Sequence, residues 1–148
     1  MADPACFYDW NRTFEDNADN GPFNMDLSGV ENKGEPEYDF LGFKVYTPFG
    51  IPAGPLPTSK HTNAAFKLGY DVVVYKTQRT VPFKANAFPH ILSLKVDGDL
   101  TLEKASGQLV GDRNFDTDVT KLTITNSFGM PSSGPEFWVD DLKQALKG

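Results

Sequence analysis

Three short stretches of the chain carry the residues best suited to binding chemistry. The first is Pro-Ala-Gly-Pro over residues 52–55, where small side chains let a flat ring approach the backbone closely. The second is Tyr-Lys-Thr over residues 75–77, whose lysine ends a predicted strand and can set positive charge against an anion. The third, over residues 125–131, contains an asparagine amide that donates and accepts, and a glycine that permits unusual dihedrals.

Each stretch also has a purely structural interpretation that the residues alone leave open. Residues 52–55 can form an ordinary strand-to-helix turn, Lys76 can extend into solvent, and residues 125–131 can form a tight turn before a helix. The two histidines, His61 and His90, are far apart in sequence, so we expect a surface or core role for them rather than a metal site. The carboxylates single out no acid–base pair.

Composition favours one packed domain and argues against several classes of function. Of the 148 residues, 39% are hydrophobic and 13% aromatic, which suffices for a core. The net charge of -6 repels phosphate backbones, so we expect no nucleic-acid partner. We also expect no membrane span and no secretory signal, because the apolar runs are short. With Cys6 as the single cysteine, a cytoplasmic protein without disulfides is predicted.

The chain is predicted to divide near residue 36. Residues 1–36 are an acidic arm that also carries aromatic side chains, so a disordered tail and an arm docked on a neighbouring surface both remain open. Residues 37–148 carry the predicted folded elements. The first of these is a hairpin over residues 38–46, where strand-forming residues flank a glycine.

A βαβ unit is predicted over residues 49–77. A short buried strand at 49–51 precedes a helix over about residues 60–68, which Thr58 or Ser59 can cap. Gly69 is placed to end this helix. One helical face carries His61, Ala64, Ala65 and Leu68. The β-branched and aromatic run at 70–77 predicts a strand covered on both faces and parallel to the first.

An antiparallel hairpin is predicted to follow this unit as an insertion. Residues 91–96 alternate apolar and polar side chains, residues 97–99 favour a turn, and residues 100–102 resume an extended pattern. Residues 107–120 are expected to form a loop, and residues 121–126 a further strand-like stretch.

The chain is predicted to close with an amphipathic helix. Ser133 and Glu136 have the spacing of a capping box, with Pro135 in the first turn. The expected apolar face of this helix consists of Trp138, Leu142, Ala145 and Leu146.

The three stretches, in this order, resemble motifs of the dihydroorotate dehydrogenase family. That family has a small-residue turn after its first barrel strand, a Lys-Ser or Lys-Thr pair closing the second, and an Asn-Ser-Met-Gly-Leu-Pro-Asn-type loop before a helix. Here they read as residues 52–55, 75–77 and 126–134, and the resemblance extends over about residues 38–147. It implies an α/β fold that forms the N-terminal part of a TIM (β/α)₈ barrel, namely the first βαβ unit plus the antiparallel hairpin insertion.

The resemblance also implies an FMN-dependent oxidoreductase that converts dihydroorotate to orotate in pyrimidine biosynthesis. Ala53 and Gly54 would border the flavin, and Thr77 would touch it. Lys76 would contact both flavin and substrate, and Asn126 would bind the substrate beside the flavin. The implied substrate contacts are Lys76, Asn126, Ser127, Phe128, Gly129 and Met130.

Several departures from the family pattern leave alternatives open. Phe128 and Met130 stand where Met and Leu are commoner, and residues 80–122 are longer or more diverged than expected. These departures leave open a related flavin barrel, such as a dihydropyrimidine dehydrogenase-like enzyme acting on another pyrimidine.

Length is the other departure, because such a barrel typically needs about 250 residues. The family's catalytic base is then expected beyond Gly148, so the chain alone is predicted to be inactive. A non-catalytic interaction module remains a further alternative. Unpaired strand edges leave a homo-oligomer open as well.

Overall fold

The computed structural model describes residues 5–32 and 34–147, which form two compact units. Unit 1 comprises Met1–Ala85 and Met130–Gly148, and unit 2 comprises Asn86–Gly129. The division predicted near residue 36 stays a prediction. The described strands form two sheets of two strands and one of three, mixed with helices, so the fold is α/β without a closed barrel among these residues.

Unit 1 begins with a helix that the sequence analysis does not predict. Helix α1 spans Phe14–Asn20, and its N-cap Thr13 accepts a hydrogen bond from the backbone of Asp16. Acidic residues in the first turn favour this start, because they face the positive end of the helix dipole. Asn17 is fully buried and hydrogen-bonds both the N–H and the carbonyl of Asp9, so it ties the helix to the preceding segment.

The predicted hairpin is confirmed. Strands β1 (Tyr38–Phe40) and β2 (Phe43–Val45) pair in antiparallel register. Leu41 and Gly42 both have positive φ, which is the geometry of a tight two-residue hairpin turn. Of the hairpin side chains only Val45 is buried.

The predicted βαβ unit is also confirmed. Strands β3 (Gly50–Ile51) and β4 (Val72–Val73) pair in parallel, and helix α2 (Ser59–Lys67) lies between them in the chain. Gly69 ends the helix region with a φ of +86°, a conformation that favours glycine. The predicted inner face of α2 is buried at His61, Ala64 and Ala65 and half-buried at Leu68.

The extent and burial predicted for the two strands are wrong. Only two residues of 70–77 form strand, both half-buried, and Val74 is 47% exposed. In the first strand Phe49 is 73% exposed. The physical reason is that an apolar run is buried only where neighbours cover it, and within the described residues β4 pairs with β3 alone.

Helix α4 (Pro135–Ala145) packs against α2 and confirms the predicted closing helix. Its predicted capping box is wrong, because Gly134 is the N-cap and no side chain caps the first turn. Pro135 occupies the start of the helix, and this places the cap at residue 134 rather than 133. The predicted apolar face is buried at Ala145 but 81% exposed at Leu146.

Unit 2 is built on an antiparallel sheet in which β5 (Ile91–Leu94) lies between β6 (Gly111–Asp112) and β7 (Ile124–Asn126). The predicted pairing of residues 91–96 with 100–102 is wrong. Helix α3 (Leu102–Ala105) begins there instead, capped by the Thr101 hydroxyl. The true partners come partly from the stretch predicted as loop, because alternation indicates a strand without indicating its neighbour.

The apolar core lies in unit 1. Among the residues that the structure describes, the buried hydrophobic ones are Val45, Leu56, Ala64, Ala65 and Ala145. None of the described helices has the length and apolar character needed to cross a membrane.

Candidate functional site

Lys76, three residues beyond β4, is the only buried lysine or arginine in the described part of the chain, with 8% of its surface exposed. Its ammonium donates to the carbonyls of Thr77 at 3.2 Å and Pro131 at 3.1 Å. It belongs to none of the ion pairs that the described residues form. The alternative that this lysine simply extends into solvent is therefore wrong.

The electrostatic state of Lys76 follows from this burial. Loss of hydration lowers the pKa of its ammonium, and the positive charge of Arg79 lowers it further. A buried cation without a carboxylate partner is costly, and an anionic ligand would offset that cost.

Arg79 is a candidate binding residue that none of the three sequence stretches contains. Its guanidinium lies 4.0 Å from the centroid of the Phe83 ring, and its Nε donates to the Met130 carbonyl at 2.9 Å. Its own carbonyl accepts a hydrogen bond from the Trp138 indole at 3.1 Å. A signal was present in the sequence, since a second cation follows Lys76 three residues later.

The segment after β4 is tied to the turn before α4 by a ladder centred on Ser132. The backbones of Phe83 and Ser132 exchange two hydrogen bonds, of 2.9 and 2.8 Å. The Ser132 hydroxyl accepts from the Arg79 N–H at 2.9 Å and donates to the Gln78 side chain at 2.7 Å. These bonds hold Lys76 and Arg79 against the same turn.

The residues expected to border a flavin are accessible. Ala53 is half-buried, and both Gly54 and Thr77 are exposed. A Cβ added at Gly54 would meet no atom within 4 Å, so the packing of the described residues does not require a glycine there. The Gly54 N–H donates to the Pro52 carbonyl at 2.9 Å, which makes residues 52–54 a tight turn.

In unit 2 the asparagine of the third stretch closes a strand. Asn126 is the last residue of β7 and pairs with Ile91 of β5. Its side chain is exposed, and its amide makes no hydrogen bond to any other described residue. Gly129 has a φ of +71°, so the turn after Phe128 depends on a conformation that favours glycine.

His90 supports this turn, a role that its position in the sequence does not indicate. It is 3% exposed, its carbonyl accepts from Ser127 N–H at 2.8 Å, and its ring lies 4.8 Å from that of Phe128. Its Nε2 lies 2.9 Å from the Asn86 carbonyl, which requires the proton on Nε2. This is a core position, one of the two roles expected for the histidines.

The predicted site residues are distributed over both units. Ala53, Gly54, Lys76, Thr77 and Met130 belong to unit 1, and Asn126, Ser127, Phe128 and Gly129 belong to unit 2. The ligand contacts assigned to them by resemblance stay predictions. Across the described residues, no group of three or more His, Cys, Asp or Glu side chains is arranged to hold a metal ion.

The fold and the surroundings of Lys76 define a class of protein. It is an α/β chain in which a buried cation follows the second strand of a parallel βαβ unit and has no carboxylate partner among the described residues. Comparison with curated proteins then gives the family. The chain is 37% identical over 145 residues to a dihydroorotate dehydrogenase from Dictyostelium discoideum, a match that covers 93% of the chain. The chain belongs to the dihydroorotate dehydrogenase family, as its three motifs predict.

This similarity has a defined extent. The chain spans 39% of the length of the Dictyostelium protein. No protein-family model matches the chain. No solved structure shows a significant match to it.

Proposed function

We propose that this chain forms the N-terminal part of an FMN-dependent dihydroorotate dehydrogenase, in which it helps to bind the flavin and the pyrimidine substrate. The observation that carries the proposal is Lys76, a buried cation without a carboxylate partner among the described residues, in a chain 37% identical to a protein of that name. The reaction is the oxidation of dihydroorotate to orotate.

The architecture proposed is the first part of a TIM barrel. Support comes from the parallel pairing of β3 and β4 around α2, which is the repeating unit of that fold. Within the described residues this pair has no further strand, so both of its outer edges are free to continue a sheet.

The residues of unit 1 suit a flavin on two counts. Ala53, Gly54 and Thr77 are accessible, and a Cβ added at Gly54 would meet no described atom within 4 Å, which leaves room beside the backbone for a ligand. Lys76 can donate its third N–H to an electron-rich ring or to an anionic substrate group. When bound, FMN supplies the hydride acceptor.

The residues of unit 2 suit a pyrimidine. The side-chain amide of Asn126, which bonds to no other residue in the described part of the chain, offers an acceptor oxygen and two N–H donors, which complement the C=O and N–H groups of such a ring. We propose that Asn126 also lies beside the flavin, and that Ser127, Phe128, Gly129 and Met130 complete the substrate contacts. The role of this chain is thus to orient ligands, and we assign none of its residues as the catalytic base.

The test is a chimera in which this chain replaces the matching segment of the Dictyostelium protein. We expect the chimera to bind flavin, seen by its visible absorbance, and to form orotate. Lys76→Met should reduce the rate by roughly a hundredfold or more, because it removes an electrostatic contact to the ligands. Lys84→Met is the matched control, since Lys84 is exposed in the same unit.

Two further results bear on the proposal. The 148-residue chain alone is expected neither to retain FMN nor to oxidise dihydroorotate. A folded chimera that binds no flavin would contradict the proposal. A chimera that binds flavin but oxidises a different dihydropyrimidine would contradict the substrate assignment alone.

A further inference from the structure

Arg79 is held in place without using the outer nitrogens of its guanidinium. The ring of Phe83 lies under the group at 4.0 Å, and Nε is bound to the Met130 carbonyl at 2.9 Å. The two Nη atoms have no hydrogen-bond partner among the described residues. The Arg79 side chain is half-buried, so a ligand can reach these atoms. They therefore form a fixed pair of donors that remains available to a ligand.

Arg12, in the same unit, is an arginine whose charge is paired with carboxylates, and it serves as a comparison for Arg79. Its guanidinium also lies over a phenylalanine ring, that of Phe23, at 4.6 Å. Asp9 and Asp16 each approach it to 3.0 Å and neutralise its charge. Arg79 has the same aromatic support and no carboxylate, so within the described residues its charge is uncompensated.

Lys76 and Arg79 bind consecutive carbonyls of one turn. The ammonium of Lys76 donates to Pro131, and the guanidinium of Arg79 donates to Met130. Each cation therefore binds one of two adjacent residues of the turn, although the two positive charges repel each other. Such an arrangement is costly for the free protein and becomes favourable when an anion lies between or beside the two charges.

We propose that Arg79 and Lys76 together form an oxyanion-binding site at the Met130–Pro131 turn, where Arg79 supplies paired N–H donors to a carboxylate or a phosphate. The geometry of the guanidinium matches both groups, since each presents two oxygens to two parallel donors. The inference deepens the proposed function, on which it rests in taking the carboxylate of the pyrimidine as the ligand. The family resemblance implies a ligand contact for Lys76 and implies none for Arg79.

The test uses the Trp138 indole as a reporter, because its N–H is bonded to the carbonyl of Arg79. The indole N–H signal of the 148-residue chain is followed by heteronuclear NMR during titration with orotate, and separately with inorganic phosphate, at constant ionic strength. Trp10→Phe assigns the signal, since the chain has two tryptophans. We expect saturable shifts with orotate.

The variants isolate the contribution of Arg79. Arg79→Gln is expected to weaken orotate binding by about tenfold or more, as loss of a charge-assisted bidentate contact predicts. Arg79→Lys keeps the charge but loses the donor pair, and should weaken binding by a smaller factor. Arg12→Gln is the matched control and should leave binding unchanged, because Arg12 is already paired. Circular dichroism checks that each variant folds.

The outcomes separate this inference from the proposed function. Equal affinity in Arg79→Gln and the unmodified chain would overturn the inference, as would equal weakening in Arg12→Gln. Absence of saturable shifts with both anions would overturn it as well. Shifts with phosphate alone, lost in Arg79→Gln, would support the oxyanion site and count against orotate as its ligand. If Arg79→Gln does not fold, Arg79→Lys decides, and unchanged affinity there contradicts the paired-donor role.

Discussion

At the scale of single residues, the pKa of the Lys76 ammonium depends in part on its neighbour Arg79. Both cations are fixed by backbone carbonyls of the same turn, and neither has a carboxylate partner in the described chain. Desolvation is the larger cause of the lowered pKa of Lys76, and repulsion by Arg79 is the smaller. The second contribution can be removed by mutation without touching the lysine.

Replacing Arg79 with glutamine should raise the pKa of the Lys76 ammonium towards its ordinary value. The reason is that the variant removes a positive charge whose repulsion favours the neutral amine. The measurement is a pH titration of the lysine side-chain signals by heteronuclear NMR. In Arg12→Gln the titration of Lys76 should not move, and an unshifted Lys76 in Arg79→Gln would refute the coupling.

His61 makes the stability of unit 1 depend on pH. Its ring is fully buried beside Thr58, and burial lowers the pKa of the imidazole to about 4 from an ordinary value of 6.5. Because the folded-state pKa is below the unfolded one, the neutral ring stabilises the fold above pH 6.5, and this contribution is lost as pH falls towards 4.

Between pH 6.5 and pH 4 the free energy of unfolding should fall by about 2 to 3 kcal/mol, as the difference between the folded and unfolded pKa values of His61 indicates. Urea unfolding of the unmodified chain and of His61→Gln, at several pH values, measures it. The free energies of the two proteins should converge as the pH is lowered. Parallel pH profiles for the two proteins would show that His61 does not cause the effect.

At the scale of elements, one carboxylate of helix α4 joins the start of helix α2 to the segment that follows strand β4. Asp141 of α4 accepts from the backbone N–H of Ser59 at 2.7 Å, from its hydroxyl at 2.6 Å, and from the hydroxyl of Tyr75 at 2.6 Å. Thr58 is the N-cap of α2 by position, but its hydroxyl lies 2.9 Å from the His61 ring and caps nothing. Asp141 therefore performs the capping from another helix.

Removing this carboxylate with Asp141→Ala should destabilise the chain by roughly 2 to 4 kcal/mol, because it leaves several part-buried donors without an acceptor. Chemical denaturation gives the free energy of unfolding. The control is Asp140→Ala, which removes an exposed carboxylate paired with Lys143 and should leave the free energy nearly unchanged. Equal effects of the two substitutions would argue against the stabilising role of the Asp141 carboxylate.

The contact between Asp141 and Tyr75 should also affect the titration of the Tyr75 phenol. Burial raises the pKa of its phenol, and the hydrogen bond and negative charge of Asp141 raise it further. In Asp141→Ala the phenol should therefore titrate at lower pH than in the unmodified chain, as followed by ultraviolet absorbance.

At the scale of the whole molecule, the two units differ in how much apolar surface they bury. The buried hydrophobic residues of the described chain all lie in unit 1, whereas the buried residues of unit 2 are His90 and Ser93. Apolar burial is the main favourable term in folding, so local opening should require less free energy in unit 2.

Amide hydrogen exchange should therefore be faster in strands β5 to β7 than in helices α2 and α4. Mass spectrometry of peptides from each unit measures it, with exposed residues 97–101 as the fast-exchanging reference. Equal protection of β5 and α2 would contradict the difference in stability inferred from burial.

The sequence by itself determined the features that depend on a few neighbouring residues. The hairpin at 38–46, the extent of α2 with Gly69 at its end, and the parallel β3–α2–β4 order all follow from local alternation, helical spacing and turn residues. The three motifs of the dihydroorotate dehydrogenase family are equally local, and the similarity to the Dictyostelium protein confirms the family.

Tertiary structure alone decided which distant groups meet. Asp141 caps α2 from 82 residues away, and Pro131 binds Lys76 from 55 residues away. The partners of β5 and the role of Arg79 likewise appear only once the chain is folded. The physical reason is that local patterns fix backbone conformation over about one element, whereas partners separated by many residues are chosen by packing and by the need to pair every buried polar group.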